Sequence, residues 1–309
     1  MHLLIPFASA LPEAGVHTLR DLDLPHLAQL LKRLRPTERG GSDAYSLSPP
    51  HEIALAAAWG WQGGDGALPF AAHAAALDGV EVSDRAWGLL TPVHWHVGRD
   101  QVVLADPADL GLDAAASRAL FEAVRELFES EGFVLAWGAP LRWYAAHESL
   151  VELPCAALDR VIGRNVDRWL PDAAQARLVR RLQSEVQMQL YPHAVNAERE
   201  ARGQLDVNSF WLSGCGRFQA VDDAGVQVHD ALRAPLLAED WAAWAEAWRA
   251  LDAGALADAL ARAQRGEPVA ITLCGERFAQ RFECVPRTLW QRLAPPWRAA
   301  PPHAVLESL

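Results

Sequence analysis

Two histidines one residue apart, His94 and His96, alternate with Val93, Trp95 and Val97. On a strand, residues i and i+2 project to the same face, so both imidazoles can reach one metal ion. The same pattern also describes the polar outer face of a hairpin, and no further ligand declares itself nearby in sequence. A second cluster spans Asn208 to Arg217, NSFWLSGCGR, and reads as a strand opening into the turn Ser213-Gly214-Cys215-Gly216. Such a turn presents backbone N–H groups to an anion. Its glycines let a backbone approach closely, and Arg217 can add a two-pronged contact to phosphate or carboxylate. It is not a P-loop, because no Gly-Lys-Ser/Thr follows, and it is not GxGxxG. A tight structural turn is the alternative. Cys215 there is either a thiol of lowered pKa or an inert buried cysteine.

A third cluster, Asn196 to Arg202 (NAEREAR), crowds Glu198, Arg199, Glu200 and Arg202 just before the glycine turn. These charges form either a salt-bridged helix face or the lining of a polar cleft. The cleft reading joins Asn196, Arg199, Arg202, Asn208, Ser213, Gly214, Gly216 and Arg217 into one candidate ligand-binding set. With no GxSxG elbow in the chain, no nucleophilic triad is proposed and no catalytic residue is named.

These residues must be carried by elements that the hydrophobic pattern supplies. Residues 3 to 8 read as a buried strand. Leu24 to Leu34 reads as an amphipathic helix with Leu27, Leu30, Leu31 and Leu34 at helical spacing. Pro36 to Pro50, with Gly40-Gly41 and Pro49-Pro50, reads as a loop. Residues 51 to 60 look helical, and Gly63-Gly64-Asp65-Gly66 is a turn. Val93 to Val97, a turn at Gly98-Arg99-Asp100, and Gln101 to Ala105 form a hairpin. Asp113 caps a helix that Gly132 ends. Phe133 to Trp137 and Leu141 to Ala145 are two more strands, completing a ββαββ module. Further helices are expected over 174–190, along the stripe Trp241, Trp244, Trp248 and Leu251, and over 254–264, with a late strand at Val269 to Leu273. The tail, with Pro295-Pro296 and Pro301-Pro302, is read as a proline-rich segment without fixed structure. Alternating strands and helices predict an α/β fold around a mixed sheet.

Composition bounds the function. The chain has 309 residues, enough for one large domain or two tightly joined ones. Its net charge of −11 argues against nucleic acid and against an anionic membrane surface as partners. Arg177, Arg180 and Arg181 read as a solvated helix face. Only Lys32 is a lysine, which points to coding bias toward arginine. The 13 tryptophans offer large apolar area and an N–H that wants a partner. The Trp241–Leu251 stripe reads as core, and an exposed tryptophan surface would suit a protein partner. Cys155, Cys215, Cys274 and Cys284 form no CxxC pair and are expected as reduced thiols. The first eight residues lack the basic and apolar regions of a leader, and no run approaches the length of a membrane span, so the expected compartment is the cytoplasm.

A family resemblance adds to this reading. Val102 to Tyr144, ending in Gly138-Ala139-Pro140-Leu141-Arg142-Trp143-Tyr144, resembles part of the archaeal-type cofactor-independent phosphoglycerate mutases. Asn196, Arg199, Gly203, Asn208, Trp211, Gly214 and Gly216 resemble that family's Asn-x-x-Arg…Gly…Asn-x-x-Trp-x-x-Gly-x-Gly run. More closely, LLIPFASAL, TPVHWHVGRD, LDRVIGRNVDRWLP, RLQSEVQMQLY and VNSFWLSGCGR resemble the RpfE-type regulatory protein family, also labelled phosphoglycerate mutase. The resemblance implies an α/β, alkaline-phosphatase-like mixed sheet flanked by helices. Residues 1–86 and 148–309 would form its core and 87–147 an inserted ββαββ module.

The departures from the active family are pointed. It places an Asp-Gly metal ligand after its first strand, where this chain has Pro6-Phe7-Ala8-Ser9. Its Asp-His and Gly-His elements occur nowhere in this sequence. Two divalent cations do the electrostatic work in that chemistry. The resemblance therefore implies a non-catalytic regulatory protein without a cofactor that senses a small anionic metabolite through the Asn196–Arg217 set. The alternatives are an active mutase or phosphatase with rearranged divalent-metal ligands, His94 and His96 among them, and a protein-interaction module.

Overall fold

A computed structural model describes residues 1–41, 43–170, 176–222, 225–284 and 300–309. Its strands are β1 (His2–Ile5), β2 (Arg35–Gly41), β3 (Ala86–Val93), β4 (Trp95–Val97), β5 (Val102–Leu104), β6 (Val134–Ala139), β7 (Arg142–Ala146), β8 (Ser209–Arg217), β9 (Val226–Val228), β10 (Ala270–Cys274) and β11 (Phe278–Glu283). Its helices are α1 (Glu13–Asp21), α2 (Pro25–Arg33), α3 (Pro50–Ala58), α4 (Phe70–Leu77), α5 (Ala114–Glu129), α6 (Leu158–Val161), α7 (Ala176–Leu190), α8 (Ala194–Ala201), α9 (Arg233–Leu237), α10 (Trp241–Leu251), α11 (Ala257–Gln264) and α12 (Pro302–Glu307). No described helix is long and apolar enough to cross a membrane. The first two residues of the expected 174–190 helix, and Pro295-Pro296 in the tail, lie outside the described residues. Pro302 opens α12 instead of continuing an unstructured tail, because proline's fixed φ suits the first helical turn.

The chain divides into two compact units: Met1–Ala44, Pro49–Gly60 and Val221–Leu309 form one, and Tyr45–Ser48 with Trp61–Ala220 form the other. The terminal unit holds a mixed sheet in the order β2-β11-β10-β1-β9. β1 runs parallel to both β10 and β9, while β10, β11 and β2 are antiparallel. A strand covered on both faces reads as an apolar run, as Leu3-Leu4-Ile5 does, and Ala270 to Cys274 is likewise buried throughout with Thr272 as its one polar member. Leu3 and Ile5 pack with Leu27, Leu30, Leu31, Trp244, Trp248 and Leu260. Leu4 and Cys274 face Ala54 and Leu55 of α3. The mixed sheet is thus flanked by helices, as expected. Trp244 and Trp248 are fully buried, so the tryptophan stripe is core.

Residues Arg35 to Gly41 correct the loop expected from Pro36 onward. They form an edge strand on β11, with Pro36 opposite Phe282 and a bulge between Gln280 and Phe282. An edge position tolerates a proline that cannot donate a ladder bond. Gly41 closes the strand at φ +106, where an added Cβ would stand 2.1 Å from the Arg277 carbonyl oxygen.

The 61–220 unit is built on an antiparallel sheet, β6-β7-β3-β8, beside the two-stranded β4-β5 hairpin. Asp113 caps α5 by accepting from Ala116 N, as the sequence indicated. Core residues of α5 and α7, among them Leu120, Phe121, Val124, Leu182 and Val186, pack with Leu90, Trp143 and Phe210 of the sheet. The small residues Ala71, Ala72 and Ala75 of α4 pack against Trp87 and Tyr144. At the end of α4, Asp78 accepts two bonds from Arg142 (2.8 and 2.9 Å) and one from the Tyr144 hydroxyl (2.6 Å).

The boundaries drawn at 86/87 and 147/148 do not coincide with this division. The ββαββ segment is not a sheet of its own: β4 and β5 pair with each other, whereas β7 pairs with β3 and β6, and β3 pairs with β8. Nor is Val93 to Val97 one strand. The ladder stops at Val93, and the backbone of Trp95 is taken up by the Asn208 side chain.

Candidate functional site

The eight residues of the candidate ligand set lie in the 61–220 unit, but the structure gives most of them a bracing task. Asn196 and Arg199, on α8, are each 4% exposed. Asn196 Nδ2 donates to Leu190 O (2.9 Å) and Val207 O (2.8 Å), and its Oδ1 accepts from Val207 N (2.9 Å). Arg199 Nε donates to Leu205 O at 2.8 Å and its Nη2 to Leu110 O at 2.5 Å. Burial lowers the Arg199 guanidinium pKa, against the opposing pull of Asp113 and Asp206. These two side chains satisfy backbone carbonyls of the irregular connections, and Leu190 O accepts from His193 N as well. Arg202, which caps the C-terminus of α8, is exposed and among the described residues pairs with Glu198, at 3.3 Å. Asn208 clamps both Trp95 N (2.8 Å) and Trp95 O (3.1 Å).

The expected glycine turn is also different. Ser213, Gly214, Cys215 and Gly216 lie inside β8, which runs on to Arg217 and is bulged opposite Trp87 and Leu89. Gly214 has φ +65, and a Cβ there would stand 2.8 Å from Ala71 N; one on Gly216 would stand 3.0 Å from Pro69 Cβ. The close backbone approach that these glycines permit is therefore to the start of α4, not to an anion. Ser213 is buried on the same strand. Cys215 Sγ lies 3.7 Å from Cys155 Sγ. That neighbouring thiol and full burial hold the Cys215 pKa well above its ordinary value, so it is not an activated nucleophile.

Two of the eight, Gly216 and Arg217, line a cleft of about 600 Å³, a size suited to a small molecule. Its other walls are the 62–65 turn and Val151, Glu152 and Pro154. Reciprocal bonds join Gln62 N to Gln219 Oε1 (2.8 Å) and Gln219 Nε2 to Gln62 O (2.7 Å). Asp65 spends both carboxylate oxygens on Leu47 N and Ser48 N, at 2.9 and 2.8 Å. Glu152 is held at φ +52, an uncommon backbone state for a non-glycine residue. Arg217 donates to Asp84 O and, at 2.7 Å, to Glu148 Oε2, and 47% of its side chain stays exposed. The sequence reading found the 63–66 turn but not the cleft, because its walls are segments far apart in the chain.

His94 and His96 do meet. His94 Nε2 is 3.1 Å from His96 Nδ1, and the ring centroids are 4.4 Å apart. His94 Nδ1 lies 2.7 Å from Asp206 Oδ1 and 3.0 Å from the Asp206 carbonyl oxygen. No group of three or more His, Cys, Asp or Glu side chains is arranged to hold a metal among the described residues. No described tryptophan is among the exposed large apolar side chains, and Trp87, Trp143, Trp211, Trp244 and Trp248 are fully buried. Those five are core filler by their size.

No protein-family profile matches this sequence, and no curated protein matches it. Solved structures that match include a cofactor-independent phosphoglycerate mutase from Thermoplasma acidophilum, at 14% identity and a TM-score of 0.36, covering 91% of this chain and 89% of that one. They also include the PH0037 protein from Pyrococcus horikoshii, at 12% identity and a TM-score of 0.42, covering 92% of this chain and 87% of that one. Likeness at this level assigns no activity.

Proposed function

We propose that this chain is a small-molecule-binding regulatory protein on a phosphoglycerate-mutase-like scaffold of the alkaline-phosphatase type, and that it takes an acidic metabolite in the cleft beside Gly216 and Arg217. The observation that carries the reading is the half-exposed Arg217 guanidinium on the wall of a 600 Å³ cleft. A guanidinium binds carboxylate and phosphate in a fixed fork geometry, and a partly exposed one can exchange Glu148 for a ligand. The lack of an Asp-Gly directly after the first strand, and of any Asp-His or Gly-His, favours binding over turnover. The remaining candidates, Asn196, Arg199, Arg202, Asn208, Ser213 and Gly214, act in this reading as supports or lie away from the ligand.

The reading is tested by thermal-shift screening of the full chain against phosphorylated three-carbon acids, inorganic phosphate and dicarboxylates. At least one should raise the melting temperature at millimolar concentration. Arg217→Ala should weaken its affinity tenfold or more. Glu148→Gln, which removes the competing carboxylate, should leave binding intact or tighten it. An unmoved melting temperature across the anions, or equal affinity in Arg217→Ala, would sink the proposal.

A second reading, a mutase or phosphatase with rearranged ligands, draws on the contact between His94 and His96. Mutase or phosphatase turnover that needs a divalent ion and is lost in His96→Ala would replace the binding reading.

A further inference from the structure

The pair at the foot of the β4-β5 hairpin has a feature that an ordinary surface histidine pair lacks: its protonation pattern is fixed from one side. The two groups nearest His94 Nδ1, the Asp206 carboxylate at 2.7 Å and the Asp206 carbonyl at 3.0 Å, can only accept, whereas the Asn208 amide nitrogen stands farther off at 3.4 Å and donates to Trp95 O. The ring proton of neutral His94 is therefore on Nδ1, and Nε2 presents its lone pair outward. That lone pair meets His96 Nδ1 at 3.1 Å, so in the neutral pair His96 supplies the proton between them.

The backbone is fixed as well. Asn208 holds both the N–H and the carbonyl of Trp95, the residue between the two histidines. His96 pairs with Val103 across the hairpin. The His94 side chain is 13% exposed, and His96 is exposed, so one ring is anchored and the other faces solvent.

We infer that His94 Nε2 and His96 Nδ1 form a two-imidazole site for a divalent transition-metal ion of zinc type, with solvent filling its remaining positions. A tetrahedral ion about 2.0–2.1 Å from each imidazole nitrogen sets those nitrogens about 3.3 Å apart. The observed 3.1 Å already lies near that edge. The carboxylate on the far nitrogen of His94 is the outer partner that orients a metal-bound imidazole and raises its basicity. Imidazole nitrogens suit zinc, copper and nickel better than magnesium or calcium. The ion takes the place of the proton between the rings. That proton moves to His96 Nε2 through solvent, so His96 stays neutral and only its tautomer changes. Neither histidine belongs to an Asp-Gly, Asp-His or Gly-His element, and the cleft at Arg217 contributes nothing to this site. Its success or failure is independent of the metabolite reading.

The test is a zinc titration of the full chain by calorimetry in a non-chelating buffer, with histidine ring resonances followed by NMR. One ion per chain should bind, perturbing the His94 and His96 resonances. His96→Ala changes an exposed side chain and should weaken that binding at least tenfold. Asp206→Asn, which keeps the shape but weakens the acceptor, should lower affinity about 10- to 100-fold. His17→Ala, at the exposed His17–Asp21 pair of α1, should leave it unchanged. Zinc affinity that is the same in His96→Ala as in the parent, or no stoichiometric binding, would overturn the assignment.

Discussion

Among the described residues the terminal unit buries the polar side chains Ser9, Asp252 and Thr272, whereas the 61–220 unit buries Ser48, Thr91, Ser117, Arg160, Gln183, Asn196, Arg199, Ser209 and Ser213. The difference follows the backbone. The terminal unit stacks helices on a continuous sheet of five strands, whose ladders pair backbone N–H and carbonyl groups with one another. Asp252 marks an exception, where its oxygens accept from His26 N and Leu27 N at the start of α2. The 61–220 unit has a shorter sheet, a detached hairpin and long irregular connections. The carbonyls of Leu110, Leu190, Leu205 and Val207 are met there by Asn196 and Arg199. Buried polar residues thus track irregular backbone before they track function.

The hardest test of that contrast is Asn196→Ala. It leaves Leu190 O, Val207 O and Val207 N without their side-chain partner in a buried site. Each lost partner costs about 1 kcal/mol or more, so the variant should lose about 3 kcal/mol, read as a fall in the urea midpoint. A loss below 1 kcal/mol would mean that water replaces the amide and that the brace is not structural.

Asp78 sharpens the contrast with a polar cluster at the rim of the same sheet. The Arg142 guanidinium, with help from the Tyr144 hydroxyl, holds the Asp78 carboxyl below its ordinary pKa. A carboxyl depressed in the folded state stabilises the fold above its unfolded value of about 4. That contribution fades as pH falls through the lower folded value. Asp78→Asn should therefore lower stability by about 1–2 kcal/mol at neutral pH, discounted for the half-exposed Arg142. The gap from the parent should close below pH 4. Equal destabilisation at pH 7 and pH 3 in urea titrations would assign the effect to packing instead of charge.

What could be read from the chain divides along the same line. The stripes of α5, α7 and α10, the Asp113 cap and the buried run at β1 are local patterns, each complete within a few turns of sequence, and the structure keeps them. The edge strand Arg35 to Gly41 carries Pro36 and two glycines and takes its strand character from β11, more than two hundred residues away, so its own residues announce only a break. The NAEREAR cluster looked like a cleft because charge and amide are what a cleft needs. Its buried members instead bind backbone carbonyls, which every residue type carries and no sequence displays. The bulged β8 was read as a loop because glycine signals both. Only its contact with Ala71 and Pro69 separates the two.

The smallest expected effect completes the set, because Arg202 stands on the same helix as Asn196 and Arg199 but on its wet side. Its one described partner is Glu198, at 3.3 Å, and both side chains are about two-thirds exposed. An exposed pair one helical turn apart gains little Coulomb energy in water and loses side-chain freedom in forming. Arg202→Ala should change stability by less than about 0.5 kcal/mol. It should also leave anion affinity at the Arg217 cleft where it was, since Arg202 is not among the cleft's lining residues. A tenfold loss of anion binding in Arg202→Ala would return the NAEREAR face to the ligand site and undo the division between bracing and binding residues.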